Sequence, residues 1–321
     1  MKISREQSNT LRAIAIIMVL VGHGFSRLGE SNLDILKWGG GCGVAIFLIL
    51  SGYGMSESYK KNGLQFKNYW KKRIVVVMIP YWCVMILQSF IDYFLLHRRM
   101  KAGLWLLSFC GYSDYDSLEG IDPTMWYITF IMVCYFIFFV VFKIPRISDN
   151  IKVAILLSIF ILGFANKMIL TTDWYINYFS FPIGVLVSIY GEKINDWMKN
   201  IVIAVSLLVF VGISTGYYSE KMSISNIELI YSMFGGLFFV FCNIKLNKRL
   251  IAKIGEASYA IYLVEGLVVD KLRIYYAVEG TQMDILVYWI LSVELGLLIH
   301  CIYKRIKNEI MVKQSMLEVN G

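Results

Sequence analysis

Long apolar runs separated by short polar segments make up most of the chain. They fall at 11–27, 41–57, 75–96, 124–142, 151–170, 174–190, 200–218, 226–243, 257–276 and 283–303. A helix needs about 20 apolar residues to cross a bilayer, so the pattern predicts ten transmembrane helices. The first run has the length of a secretory leader. It ends in Gly22-His23-Gly24-Phe25-Ser26-Arg27 with no small-residue cleavage pattern, and a second span follows, so it is expected to remain a helix. The longest loop, 97–123, holds Gly103-Leu104-Trp105-Leu106-Leu107, which is too short to span and is expected at the interface or re-entering among the helices. An acidic stretch with Asp114, Asp116, Glu119 and Asp122 follows it.

Composition sharpens the class. The 321 residues are 58% hydrophobic and 17% charged, whereas a soluble domain carries about 25% charge. Too few charges remain to cover a water-facing surface, which excludes a cytosolic enzyme, a disordered chain and a coiled coil. Four prolines suit uninterrupted helix. The net charge of +8 is resolved by topology: with the N-terminus inside, 22 of the 31 Lys and Arg fall on the cytoplasmic side. The basic excess therefore reports orientation, and nucleic acid is not an expected partner. Six scattered cysteines lack any metal-ligand spacing and are read as small packing residues, with no metal expected. The expectation is an all-α polytopic integral membrane protein with about ten transmembrane helices and both termini cytoplasmic. It forms one transmembrane domain over 1–321, embedded in the lipid bilayer of the plasma or inner membrane. A homo-oligomer is compatible with this reading.

Against so apolar a background, ionisable residues inside spans are functional candidates. Arg12 and His23 lie eleven residues apart on the first span. That spacing is about 1,100°, three turns plus ~20°, with an axial rise of about 16 Å. Both side chains share a face, Arg12 at the cytoplasmic edge and His23 past the midplane. The competing reading has Arg12 snorkelling to the interface and His23 bonded to a neighbouring carbonyl.

Five segments carry a family resemblance. Leu11-Arg12-Ala13-Ile14-Ala15-Ile16 leading to His23 is similar to the Arg/Lys-x10-His opening of the membrane-bound acyltransferase 3 family. In family order follow Gly43-Val44-Ala45-Ile46-Phe47-Leu48-Ile49-Leu50-Ser51-Gly52-Tyr53, then Tyr69-Trp70-Lys71-Lys72-Arg73-Ile74 before Ile79-Pro80-Tyr81-Trp82. Thr124-Met125-Trp126-Tyr127-Ile128 and Ile254-Gly255-Glu256-Ala257-Ser258-Tyr259-Ala260-Ile261-Tyr262-Leu263-Val264 complete the set. Two positions depart from the family pattern. Val76 stands where a second Arg often follows Arg73, and Glu265 stands where the last signature continues to a His.

The resemblance implies transfer of an acyl group, usually acetyl, from cytoplasmic acyl-CoA (acetyl-CoA) to a hydroxyl of a surface polysaccharide or glycolipid. His23, Arg12 and Glu265 are the catalytic candidates. A histidine has an unperturbed pKa of about 6.5 and can act as a base near neutral pH; it can equally carry the acyl group itself. Glu265 either orients His23 or is protonated and merely hydrogen-bonded. Arg73, Lys72 and Lys71 are candidates for the CoA phosphates, although any inner loop is basic. Trp126, Tyr259 and Ser51 are the substrate-binding candidates, with aromatic belts and helix contact as rival explanations. Asp92, Gln88 and Glu228, near span ends, are expected in solvated or capping roles. Glu294 and His300, six apart, are expected on different faces. A saccharide or small-solute transporter is the alternative function, and a catalytically dead family member acting in assembly is a third.

Overall fold

The computed structural model describes residues 1–27, 34–98, 101–112, 122–166, 171–216, 222–246, 248–273 and 282–319. Among these it contains helices and no strand. Helix α1 (Arg5–Arg27) begins on a reciprocal cap: Gln7 N donates to Ser4 Oγ (3.2 Å) and Ser4 N to Gln7 Oε1 (2.6 Å), the Ser-x-x-Gln capping box. Helices α2 (Asp34–Asn62), α3 (Phe66–Arg73), α4 (Ile79–Phe94), α5 (Ala102–Phe109), α6 (Trp126–Lys143) and α7 (Asp149–Asn166) follow. The chain continues with α8 (Thr172–Asn177), α9 (Ser180–Tyr190), α10 (Asp196–Ser214), α11 (Ile224–Cys242), α12 (Arg249–Gly266) and α13 (Gln282–Val319). A π-helical segment, Ile74–Met78, joins α3 to α4, and a second, Leu267–Lys271, extends α12.

Eight helices among the described residues are long and apolar enough to cross a membrane: α1, α2, the continuous α3–α4, α6, α7, α10, α11 and the first part of α13. The two remaining apolar runs take other forms. The run 174–190 is divided into α8 and α9, because Pro182 has no N–H for the Tyr178 carbonyl and its ring crowds that turn. The run that begins at 257 belongs to α12, which carries Arg249, Lys253, Glu256 and Glu265 and is buried continuously from Ala260 to Gly266. The apolar piece at 103–107 becomes α5, docked on α4 and α6: Tyr81 Oη donates to Ser108 O and Trp82 Nε1 to Phe109 O (both 2.7 Å), and Thr129 Oγ1 to Gly111 O (2.8 Å). Asp114, Asp116 and Glu119 lie outside the described residues. Packing explains Cys42 and Cys134, which are buried, but not Cys83, Cys110 and Cys301, which are exposed.

The centre is α2, 78% buried over its apolar window against 11% for α10. It packs on α1, α9 and α11, while α1 also holds α12, and α12 holds α13. Small residues permit this closeness where lipid supplies no hydrophobic drive between helices. A methyl on Gly52 would overlap the Phe181 carbonyl oxygen of α9, and one on Gly184 would overlap the Ile49 carbonyl oxygen of α2. Gly52→Ala and Gly184→Ala are each expected to cost about 1–3 kcal/mol, read as a lowered unfolding midpoint in detergent. Unchanged midpoints would refute so close an approach.

Candidate active site

At His23, α1 is wedged between two neighbours, and the glycines on either side of it make this contact possible. A Cβ on Gly22 would stand 2.6 Å from Gly40 N on α2, and one on Gly24 would stand 2.9 Å from Trp289 Nε1 on α13. Trp289 Nε1 also donates to the Leu20 carbonyl at 2.9 Å, fastening α13 to α1 one turn below His23. The His23 side chain is partly accessible, and its Nδ1 lies 2.8 Å from Glu265 Oε1 on α12. Glu265 is fully buried, and its second oxygen accepts from the Tyr288 hydroxyl at 2.6 Å. That length is typical of a hydroxyl bonded to a carboxylate. An ionised carboxylate only accepts, so beside an ionised Glu265 a neutral imidazole carries its hydrogen on Nδ1 and keeps a lone pair on Nε2. This is the arrangement in which a buried acid holds a histidine in the tautomer of a general base.

A second buried carboxylate lies directly behind Glu265. A Cβ on Gly266 would overlap both carboxylate oxygens of Asp122. Asp122 accepts from Gln88 Nε2 (2.7 Å), Thr124 N (2.9 Å) and Thr124 Oγ1 (2.6 Å). Gln88 and Asp92 are therefore not solvated end residues. Both are buried, and Asp92 is paired with Lys271. Arg27, the last residue of α1, pairs with Asp270. The π-helical segment 267–271 is thus tied to α1 and to α4 by two ion pairs, which hold the end of α12 beside His23. The helical periodicity of 79–94 cannot reveal this, because these partners lie 34 and 179 residues away in sequence.

A cavity of about 330 Å³ extends along α1 between Arg12 and Val19, one turn short of His23. That volume lies within the range of small-molecule sites. Among the described residues Arg12 is the only Lys or Arg in its lining and Glu256 the only carboxylate, and Ser51, Tyr127 and Tyr135 share the wall. Two wall tyrosines are engaged by the π-helical segment 74–78, whose widened turn releases carbonyls from the ladder. Tyr259 Oη donates to Val77 O (2.8 Å) and Tyr303 Oη to Val75 O (2.7 Å). Val76 faces the same cavity, as does His300, while Glu294 is exposed on another side of α13.

The sequence candidates thus separate. Arg12, Ser51 and Tyr259 line the cavity, and His23 and Glu265 meet beyond its end. Trp126 is buried against Tyr127 and Phe130 and is not part of the wall. Arg73 is buried rather than open at a mouth. Its guanidinium lies over Tyr69 (4.2 Å) and Tyr135 (5.5 Å), donates to Tyr69 O and contacts Met55 Sδ. With Lys72 it borders a separate cavity of about 420 Å³, while Lys71 is exposed. Tyr288, Asp122 and Gln88 also belong to the site, and no spacing in the sequence marks them.

Membrane helices thus enclose a histidine–carboxylate pair, and a cavity that carries Arg12 ends one turn short of it. The acyltransferase 3 family model, described as an acyltransferase domain, matches residues 5–304, and the chain belongs to that family. No curated protein and no solved structure matches it. The chain is therefore a multi-pass membrane acyltransferase, and between the enzyme and carrier readings the family assignment selects the enzyme.

Proposed function

We propose that the protein transfers an acyl group, acetyl first among candidates, from cytoplasmic acyl-CoA to a hydroxyl of a cell-surface saccharide or glycolipid. The observation that carries this reading is the 2.8 Å His23–Glu265 contact beyond the end of a cavity that Arg12 lines. The N-terminal end of α1 faces the cytoplasm in the orientation that the basic residues favour, so the donor enters from the Arg12 end. A thread-like pantetheine arm fits a narrow cavity between helices, and Arg12 attracts its pyrophosphate. His23 Nε2 then takes the proton of the acceptor hydroxyl. The oxygen attacks the thioester carbonyl, the C–S bond breaks, and the CoA thiolate leaves with a proton. In the alternative route Nε2 attacks first and passes the acyl group to the hydroxyl. In both routes Glu265 orients the ring and stabilises its positive charge. Ser51 and Tyr259 contact the arm, and Trp126 backs the wall through Tyr127. Lys71 and Lys72 add positive potential at the entrance, and Arg73 braces Tyr135.

Membranes containing the protein are expected to move label from acetyl-CoA to at least one member of a glycan panel; no transfer to any member would remove the reading. Lys71→Gln with Lys72→Gln should raise the KM for acetyl-CoA severalfold at low ionic strength. The difference should shrink towards 0.5 M salt, because exposed charges are screened beyond about 10 Å at 0.1 M. A salt-independent change would exclude this field effect.

A further inference from the structure

A second cavity, of about 350 Å³, lies where the first turns of α1 and α12 meet, lined by Arg5, Glu6, Asn9, Thr10, Lys248 and Arg249 among others. Three permanent cations face one carboxylate there. Elsewhere basic side chains find acids: Arg27 with Asp270, Lys60 with Glu57, Lys152 with Asp149 and Lys271 with Asp92. Among the described residues, none of Arg5, Lys248 and Arg249 forms such a pair.

The walls are held in place. The Gln7 side chain, fixed by the cap at Ser4, bonds Asn243 at the end of α11, and Leu246 N donates to Thr10 Oγ1 at 3.3 Å. Gly255 admits the Asn9 carbonyl so closely that a methyl would overlap it. The turn that delivers Lys248 and Arg249 is thereby bound to the helix that carries Arg5. Helix α12 starts there without a side-chain acceptor for its first N–H groups, which adds a modest positive end to the cluster.

Arg5 also lies on the face of α1 that carries the site. It lies seven residues before Arg12, about 700° or two turns less ~20°, so Arg5, Arg12 and His23 form one stripe on α1. The stripe descends about 16 Å from His23 to Arg12 and about 10 Å more to Arg5. An extended acyl-CoA has its thioester at one end, its pyrophosphate within, and a dianionic 3′-phosphate on the adenosine at the other. The cations of the chain follow that order, one at Arg12 and three at the far end. Arg73, by contrast, is occupied with Tyr69, Tyr135 and Met55.

We propose that this basal cavity binds the adenosine 3′,5′-bisphosphate end of the donor, with Arg5, Lys248 and Arg249 on the 3′-phosphate. The inference rests on the acyl-CoA reading above and adds where the nucleotide sits and which phosphate is selected.

Two measurements on the full-length protein in nanodiscs separate the inference from the reading beneath it. In the first, calorimetric binding compares adenosine 3′,5′-bisphosphate with 5′-AMP, which needs no turnover. Wild type should prefer the bisphosphate by about tenfold or more, Lys248→Gln with Arg249→Gln should erase the preference, and Glu6→Gln, which removes the single acid, should tighten bisphosphate binding. In the second, KM is compared for acetyl-CoA and 3′-dephospho-acetyl-CoA, and the double variant should raise the former to the level of the latter. Equal binding of the two nucleotides by wild type, or a preference that survives in a double variant with wild-type thermal stability, would overturn the proposal. Transfer that fails with both donors while the bisphosphate preference is present and lost in the double variant would leave the site standing and remove the acetyl-donor reading instead.

Discussion

His23→Ala is expected to abolish acyl transfer while the protein still inserts and packs. A positioned general base contributes about 10²–10⁴-fold, and if His23 carries the acyl group the covalent route disappears with it. The side chain is partly accessible and its visible partner is Glu265, so its removal opens space at the end of the cavity without disturbing the glycine contacts at Gly22 and Gly24. The measurement is the initial rate of label transfer from acetyl-CoA in membranes at matched protein level, with gel filtration in detergent as the check on folding. Wild-type turnover in this variant would end the mechanism. Glu265→Gln tests the pairing. It keeps a hydrogen-bonding group in the buried slot but removes the charge that favours the Nδ1–H tautomer, and the rate should fall by about 10²-fold or more. Acid quenching during turnover distinguishes the routes, since label retained on wild-type protein and absent from His23→Ala identifies the acyl carrier.

Gly266→Ala should have the second-largest effect, for a reason that only packing supplies. Its methyl would occupy the position of the Asp122 carboxylate, which three hydrogen bonds from Gln88 and Thr124 prevent from moving freely. Overpacking costs about 1–3 kcal/mol, occasionally more, and here the relief is displacement of the α12 end that carries Glu265. A misplacement of about 1 Å at a reacting group can cost about 10²-fold in rate, so activity should fall further than stability alone would take it. Combining Gly266→Ala with Asp122→Ala removes the overlap, and the pair should recover part of the lost thermal stability, a non-additivity expected only of residues in contact. Strict additivity would show that the two do not touch.

The two variants differ in how visible their targets are in the chain. His23 is found by reading one helix, since a lone ionisable residue on an apolar run, in phase with Arg12, needs only helical periodicity. Gly266 looks like any membrane-helix glycine, and Asp122 like the last acid of a polar loop. Glu265 was legible as an odd residue at a signature position, but its partner was not, because 242 residues separate it from His23. Arg73 reads as a phosphate ligand because it is basic and stands at a helix entrance, and only the assembled helices show it beneath the Tyr69 and Tyr135 rings, bordering a cavity with Lys72. Pro182 and its interruption of the sixth run could have been anticipated from the proline alone.

What the amino-acid sequence determined by itself was local and compositional. Low charge placed the chain in a membrane, run lengths marked most of its membrane helices, and periodicity aligned Arg12 with His23. What tertiary structure alone decided was which faces meet: Glu265 with His23 and Tyr288, Asp122 with Gly266, and Arg5 with Lys248 and Arg249. The physical reason lies in the solvent. In water the apolar stripe of a helix marks the side that turns inward, whereas in lipid both sides are apolar and no stripe distinguishes the core from the bilayer. Close contact between helices is then settled by glycines and by a few buried polar partners, whose complementarity exists only once the helices are assembled.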